Sequence, residues 1–141
     1  MDTTVEKQRA LLRSAYEKLA SGDLDACVEM MTEDFIANLP GAPEPLRGRE
    51  IWRLGAQSMV DGFPDLQIHV EDMFGVDDKV AVRVHFRGTH RGTFQGVVAT
   101  DRPVSFRSIE IYRFEGDKIA EEWVAPDMMS LMRQIDGATV A

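Results

Sequence analysis

The spacing of apolar residues changes once along this chain, from the period of a helix to the period of a strand. An apolar stripe over Val5–Ala20 predicts an amphipathic helix. Asp23 is placed to cap a second helix, whose apolar positions run to Met31. A short strand is predicted at Phe35–Leu39, and a third helix over roughly Arg49–Val60. The first part of the chain is therefore predicted to be mostly helical.

Beyond residue 65, apolar and polar residues alternate with the period of a half-buried strand. This pattern predicts strands over Leu66–Val76 and Val80–Phe86, and a hairpin formed by Phe106–Phe114 and Ile119–Val124. Glu115-Gly116-Asp117 supplies the turn of that hairpin. Glycines 88, 92 and 96 interrupt the pattern in the way that bulges or a bent strand do.

The end of the chain places a carboxylate directly after the last predicted strand. Pro126 ends that strand because it cannot donate to a ladder. Asp127 then opens a predicted helix over Met128–Ile135. An aspartate at this position is a favoured helix cap, and it also lies where a curved sheet could carry a pocket. The sequence therefore allows two roles for Asp127, a helix cap and a catalytic residue.

Helices followed by antiparallel strands predict the α+β class. A long helix lying across a strongly curved sheet would bury the apolar face and leave a cone-shaped pocket between the two. The 141 residues contain no internal repeat or linker, so we expect a single domain over residues 1–141.

The charge balance narrows the range of partners. There are 24 acidic and 16 basic residues, a net charge of −8, which argues against a nucleic acid or an anionic membrane as partner. The single cysteine, Cys27, excludes an internal disulfide and fits a reducing compartment. The N-terminus does not resemble a signal peptide, and no apolar stretch approaches the roughly 20 residues of a spanning helix. We therefore expect a cytoplasmic protein.

Familiar catalytic motifs are missing from the sequence. It has no Gly-rich phosphate loop, no nucleophile elbow and no HExxH motif. The three histidines are too scattered for a zinc signature, and Cys27 is best interpreted as a buried structural thiol. Any catalysis is expected to use side-chain acids and bases, with no cofactor and no metal.

Several ordered motifs carry a resemblance to a known family. They are Phe63-Pro64-Asp65-Leu66, Asp78-Lys79-Val80 with Arg83, Gly88-Thr89-His90-Arg91-Gly92, and an ending with Arg113, Gly116, Lys118-Ile119, Glu121, Trp123, Asp127, Gln134 and Gly137. From about Leu19 to Gly137 the chain resembles the SnoaL-like polyketide cyclases, which belong to the NTF2-like (nuclear-transport-factor-2-like) superfamily.

The resemblance implies a fold, an activity and a catalytic group. The fold is an NTF2-like cone, in which N-terminal helices pack on a strongly curved mixed or antiparallel β-sheet that encloses a pocket. The activity is cofactor-independent aldol closure of the last ring of an aromatic polyketide. Asp127 occupies the position of the family's acid/base aspartate, and His90 becomes a second catalytic candidate. The sequence departs from the family at Glu122, where many relatives carry histidine, and the family also contains cofactor-free hydroxylases.

Five further residues are candidates for contacting a substrate. Trp52, Met59 and Trp123 are expected in the core or the cavity wall, where aromatic rings could stack on an aromatic substrate. Asn38 could bind a substrate carbonyl, although a turn at the end of a strand also explains it. His85 could line the pocket, or could lie on a face exposed to solvent or to a dimer partner.

The leading hypothesis is a polyketide cyclase that uses Asp127 as general acid/base on a hydrophobic small molecule. A cofactor-free hydroxylase of a similar substrate is the first alternative. The second is a non-catalytic binding or dimerisation module, which predicts a cavity filled by Met59, Met73 and Trp123 with no titratable group inside. The resemblance also implies a homodimer or homotetramer.

Overall fold

The computed structural model describes residues 3–136, so Gly137, one of the residues that carry the resemblance, lies outside the described part. The described chain forms four helices and six strands. In order, they are α1 (Thr3–Ala20), α2 (Leu24–Glu29), β1 (Met31–Asn38), β2 (Leu46–Arg47), α3 (Arg49–Gly62), β3 (Gln67–Val76), β4 (Lys79–Thr89), β5 (Pro103–Glu115), β6 (Lys118–Pro126) and α4 (Met128–Asp136).

All six strands belong to one curved, open sheet with the order β2-β1-β6-β5-β4-β3. The strands from β3 to β6 are antiparallel neighbours, as the alternating pattern predicts. β1 is different because it pairs with β6 in parallel, which makes the sheet mixed. Gly116, with φ of +59°, forms the turn between β5 and β6 in a backbone conformation that glycine adopts without strain.

The helices cover one face of the sheet and enclose the core. α1 packs mainly against β3 and α3 against β1, so the two helices cover different halves of the same face. Phe35, Val82, Val84 and Ile119 are almost completely buried beneath them. The alternation in β5 is strict, with one face buried and the other exposed along most of its length. This alternation decides which side chains enter the interior.

Two local predictions needed correction. Met31 does not continue the second helix: α2 ends at Glu29, and Met31 begins β1. The first strand is therefore longer than Phe35–Leu39. Its early start is explained by β6, because Met31 pairs with Ile119 and the Ile119 N–H donates to the Met30 carbonyl at 2.8 Å. A partner 88 residues away in sequence overrides the local helical spacing.

The C-terminal helix begins where the sequence predicts. Pro126 is the last residue of β6, and Asp127 precedes α4. The Asp127 N–H donates to the Arg107 carbonyl at 2.9 Å, which joins the start of the helix to β5. Leu131 and Ile135 bury one side of α4 in the core. Among the described residues, no helix is both long and apolar enough to cross a membrane.

Candidate active site

A partly enclosed cavity of about 380 Å³ lies between the helices and the inner face of the sheet. Its wall is mostly apolar. The lining residues include Leu12, Ala15, Met31, Ala37, Ile51, Trp52, Ala56, Met59, Leu66, Phe86, Phe94, Phe106, Ile119, Val124 and Met128. This volume and this kind of lining are typical of small-molecule sites.

Two carboxyl groups interrupt the apolar wall. Glu110 reaches the cavity from β5 and Glu122 from β6. Within the described chain they are the only lining residues with an ionisable acidic or basic group, apart from the phenols of Tyr16 and Tyr112. No lysine, arginine or histidine of the described residues faces the cavity. The described cavity wall therefore contains carboxyl groups that can exchange protons with a ligand, but no permanently positive side chain.

Glu110 is held by three hydroxyl groups. Its Oε1 accepts hydrogen bonds from the phenols of Tyr16 at 2.5 Å and Tyr112 at 2.7 Å. Its Oε2 accepts one from the Ser108 hydroxyl at 2.8 Å. Ser108, Glu110 and Tyr112 alternate along β5, so all three point inward, and Tyr16 approaches from α1. Both oxygens of this carboxylate are therefore engaged by the protein itself.

The two phenols are poor acids in this setting. Burial raises the pKa of Tyr16 and of Tyr112 well above 10.0, and the nearby negative charge of Glu110 raises both further. Their rings meet edge to face, with centroids 6.2 Å apart. They therefore act as neutral hydrogen-bond donors to Glu110.

Glu122 lies in a different environment. Its side chain is only 4% exposed, and no described side chain donates a hydrogen bond to its carboxyl group. Burial raises its pKa from 4.5 to about 8, and the charge of Glu110 contributes to the shift. A carboxyl group that changes protonation near neutral pH, inside an apolar cavity, is a candidate general acid/base.

The strand register explains why these groups meet. Glu122 lies directly across from Tyr112, and Glu110 lies across from Val124. The two carboxyl groups are therefore diagonal neighbours on the inner face, a relation that leaves side chains within reach of each other. On the other side of β6, Glu122 pairs with Ala37 of β1, a small residue that leaves room for the cavity.

Trp52 and Met59 line the cavity from α3, as predicted for substrate-contacting residues. Asn38 and Trp123 are neighbours across β1 and β6 but are not part of the lining. The Asn38 amide donates to Glu121 Oε2 at 3.0 Å and to the Glu122 carbonyl at 2.9 Å. It thus joins two strands in this structure.

Neither histidine candidate reaches the cavity. His85 bonds to the Ser105 hydroxyl at 2.5 Å, and burial together with Arg107 and Arg87 lowers its pKa. His90 is fully buried, with Nδ1 2.9 Å from the Thr100 hydroxyl, which fixes the loop after β4. The structure therefore does not bring His85 or His90 together with Glu110 and Glu122.

Asp127 is exposed and lies at the rim, although its neighbours Pro126 and Met128 both contribute to the cavity wall. Its Oδ1 accepts a hydrogen bond from the Ser130 N–H at 3.1 Å, the geometry of a helix cap. Its carboxyl group is thus engaged outside the cavity lining. A catalytic role for Asp127 stays a prediction.

The sequence-based choice of site residues omitted Glu110 and Glu122. A signal was nevertheless present, because Glu110 shares its strand face with Phe106, Tyr112 and Phe114. Glu122 likewise shares a face with Val124. A carboxylate in phase with apolar residues of a strand is rare unless it is paired or functional.

A second, more open groove of about 470 Å³ lies over the ends of β4 and β5. Its polar groups mostly bind one another. Asp65 accepts from the Thr89 N–H and hydroxyl at 2.7 Å each, and Gln134 bonds both backbone groups of Ser105. The groove therefore leaves few polar groups free to bind or react with a ligand. Residues 3–136 also contain no cluster of three or more His, Cys, Asp or Glu side chains that could hold a metal.

Comparison with known proteins gives one family. The model of the SnoaL-like polyketide cyclase family matches residues 10–135. No curated protein matches the sequence significantly.

Solved structures give the same fold over nearly the whole chain. IdmH from Streptomyces antibioticus, a proposed polyketide cyclase, is 31% identical with a TM-score of 0.81, over 92% of this chain and 98% of IdmH. AclR from Streptomyces galilaeus, a proposed hydroxylase, is 24% identical with a TM-score of 0.87, over 97% of this chain and 85% of AclR. A proposed SnoaL-like polyketide cyclase from Jannaschia sp. CCS1 is 19% identical with a TM-score of 0.89, over 99% and 98%. The predicted NTF2-like cone is thereby confirmed.

Proposed function

Because the chain belongs to the SnoaL-like polyketide cyclase family, we propose that it is a cofactor-independent aldol cyclase of a polycyclic aromatic polyketide ester. The observation that carries this proposal is the apolar cavity with a titratable carboxyl group in its wall. Trp52, Phe86 and Phe106 supply flat apolar surfaces for a fused-ring substrate. Glu122 supplies a group that can take up and release a proton near neutral pH.

The proposed reaction suits this arrangement. A methylene between two carbonyl groups is acidic enough for a carboxylate to deprotonate when desolvation makes the carboxylate more basic. The resulting enolate is delocalised over the polyketide. It can attack a second carbonyl of the same molecule, which closes the ring and leaves a hydroxyl group. The product is an isomer of the substrate.

A purely structural module is less well supported. That alternative predicts a cavity filled by Met59, Met73 and Trp123, without titratable groups. Met59 lines the cavity, but a volume of about 380 Å³ stays unfilled. Met73 is part of the hydrophobic core, and Trp123 does not line the cavity. Glu110 and Glu122 face it. Two buried carboxyl groups without a positive partner would destabilise a cavity that had no other role.

Incubation of the purified protein with an uncyclised polyketide methyl ester tests the proposal. The expected product has the mass of the substrate and forms equally well without oxygen. A product that gains one oxygen atom, and only under air, would instead favour a hydroxylase of the kind proposed for AclR. The absence of any product over a panel of such esters would overturn the enzymatic proposal.

Asp127→Asn belongs in the same assay, since the family resemblance assigns the acid/base role to this residue. A loss of turnover, with an unchanged circular dichroism spectrum, would support Asp127 as the acid/base. Unchanged turnover would leave it as the cap of α4.

The remaining expectations about partners and location stay predictions. Ile109, Ile111 and Phe74 are exposed apolar side chains on the outer face of the sheet, which supports self-association into a homodimer or homotetramer. Light scattering coupled to size-exclusion chromatography measures this directly. The proposed cytoplasmic location rests on the sequence alone.

A further inference from the structure

We propose that Glu122 is the catalytic residue that exchanges a proton with the substrate, and that Glu110 is a positioning residue whose carboxylate holds the hydroxyl groups around it. This inference rests on the proposed function and assigns the chemistry within the same cavity. It differs from the family-based expectation, which places the acid/base role at Asp127.

The carboxylate of Glu110 is already bound by other groups of the protein. Tyr16, Tyr112 and Ser108 occupy both of its oxygens with three donated hydrogen bonds. Each donor is buried and comes from a different position, so a substrate would have to displace a formed bond to reach the carboxylate. A carboxylate held in this way positions the hydroxyl groups around it and is not free to contact the substrate.

The carboxyl group of Glu122 has the opposite properties. It lies in the cavity wall, and no hydrogen bond from a side chain of residues 3–136 occupies it. Its position on β6 is fixed on both sides, by Tyr112 of β5 and Ala37 of β1. A buried, positioned carboxyl group with free oxygens can meet a ligand without first breaking a bond to the protein.

The groups that face Glu122 explain its protonation. β5 contributes Glu110 and Tyr112, and α1 contributes Tyr16. The parts of β1, α3 and α4 that line the cavity contribute no charged side chain. Burial and the negative charge of Glu110 therefore act in the same direction, and the pKa of Glu122 rises to about 8. At neutral pH both of its protonation states are accessible.

A single carboxyl group can then complete the proposed cycle. Ionised Glu122 takes the proton of the acidic methylene, and the C–H electrons form the enolate. The enolate carbon bonds to the second carbonyl carbon, whose C=O π electrons move to oxygen. Neutral Glu122 gives the same proton to that oxygen and returns to its starting state. Atoms and electrons balance within the substrate, so no oxidant or co-reactant is required.

The described lining contains no cation, so the final proton transfer from Glu122 to the substrate oxygen is important. No lysine, arginine or histidine among the described residues stabilises the developing alkoxide. The phenols, whose pKa values are raised, already donate to Glu110. Protonation by Glu122 is the available way to neutralise the oxyanion as it forms.

A titration without substrate tests the assignment independently of the reaction. In protein labelled with ¹³C at the glutamate carboxyl carbons, we expect one resonance to titrate far above the others. Glu122→Gln should remove it, and Glu110→Gln should move its midpoint to lower pH. Glu121→Gln, which changes the adjacent residue on the opposite face, is the matched control and should leave the resonance in place. Persistence of the high-pH resonance in Glu122→Gln would overturn the assignment.

The second experiment measures kcat/KM against pH for the cyclisation. Glu122→Gln should lower it by a factor of about 10² to 10⁴, the usual contribution of a general acid/base. Glu121→Gln should retain turnover within a few-fold. Because the ionised form of Glu122 starts the cycle, activity should rise with pH, and Glu110→Gln should shift that rise to lower pH.

The outcomes separate the two proposals. If the wild-type protein cyclises the ester and Glu122→Gln does so equally well, the assignment of Glu122 is wrong and the proposed function stands. If the wild-type protein converts no ester although one carboxyl group titrates near pH 8, the proposed function is wrong. In that case the catalytic role of Glu122 is rejected as well. The titration then shows only that Glu122 lies in an environment that raises its pKa.

Discussion

Two adjacent pairs of residues in the hairpin formed by β5 and β6 depart from the usual distribution of polar and apolar side chains. Ile109 is 58% exposed on the outer face, whereas its neighbour Glu110 is 7% exposed on the inner face. Trp123 lies on the outer side next to Glu122, which lies inside. A sheet selected only for stability would place these residues the other way round. The inward position of Glu110 and Glu122 indicates that this part of the inner face serves a site.

The same residue type also behaves differently on the two faces. Glu121 accepts a hydrogen bond from Arg113 at 3.0 Å and one from Asn38 at 3.0 Å, so its charge is matched. Glu122, the next residue, has a carboxyl group with no cation near it in the described cavity wall. One residue of sequence separates a stabilising carboxylate from one that costs stability, because successive side chains of a strand point to opposite faces.

The largest expected effect is on the stability of Glu122→Gln. A carboxyl group with a raised folded-state pKa stabilises the fold fully below its unfolded value, and this stability declines as pH rises through the folded value. For Glu122 the window runs from about 4.5 to about 8. At pH 7 the substitution should increase the free energy of unfolding by roughly 3 kcal/mol, since each pKa unit is worth about 1.4 kcal/mol.

Urea denaturation of both proteins between pH 4.5 and 8 measures this effect. The wild-type protein should lose stability over the range relative to Glu122→Gln, and the difference should vanish near pH 4.5. Glu121→Gln should instead be slightly less stable than the wild-type protein, because it loses the negative charge that pairs with Arg113. If Glu122→Gln were less stable than the wild-type protein at pH 7, the claim that the inner carboxyl group costs stability would be wrong.

A smaller effect is expected when Glu110 loses one of its donors. Tyr112→Phe removes the 2.7 Å bond to Glu110 Oε1 and leaves the ring in place. Hydrogen bonds to a charged group contribute about 2 kcal/mol, so the free energy of unfolding should fall by about that amount. Equilibrium denaturation at pH 7 checks it. If the free energy of unfolding fell by less than the error of the measurement, the hydrogen bond from Tyr112 would not stabilise Glu110.

The smallest effect is expected on the outer face. Arg107 binds Glu71 there, with Nε 2.8 Å from Oε1, and this bond lowers the pKa of Glu71. The Arg107 side chain is 58% exposed, and Glu71, which is 19% exposed, keeps its ion pair with Arg83. Arg107→Gln should therefore shift the denaturation midpoint only slightly, and less in high salt than in low salt. A shift as large as that of Tyr112→Phe, and insensitive to salt, would show that the outer face is covered in solution.

Much of the fold could be predicted from local sequence. The alternation in Phe106–Phe114, the turn at Gly116 and the proline at the end of β6 are local signals, and each is found where predicted. The start of β1 at Met31 could not be predicted in this way, because its parallel pairing with β6 is a long-range contact. The candidate site is a similar case. Trp52 and Met59 line the cavity, and their contact with a substrate stays a prediction. Glu110 and Glu122 also line it, but the sequence-based choice did not include them.

By itself, the sequence determined most of the elements of this protein, the family to which it belongs, and a carboxylate at the start of the last helix. Periodicity, turn residues and ordered motifs are properties of neighbouring residues, so they can be read without coordinates. The tertiary structure alone decided which carboxyl groups enter the cavity. The charge of Glu110 and the protonation of Glu122 depend on strand register, on the phenol of Tyr16 from a distant helix, and on the exclusion of water. These are effects of three-dimensional packing on electrostatics, and they shift the search for the acid/base from the rim of the cavity to its wall.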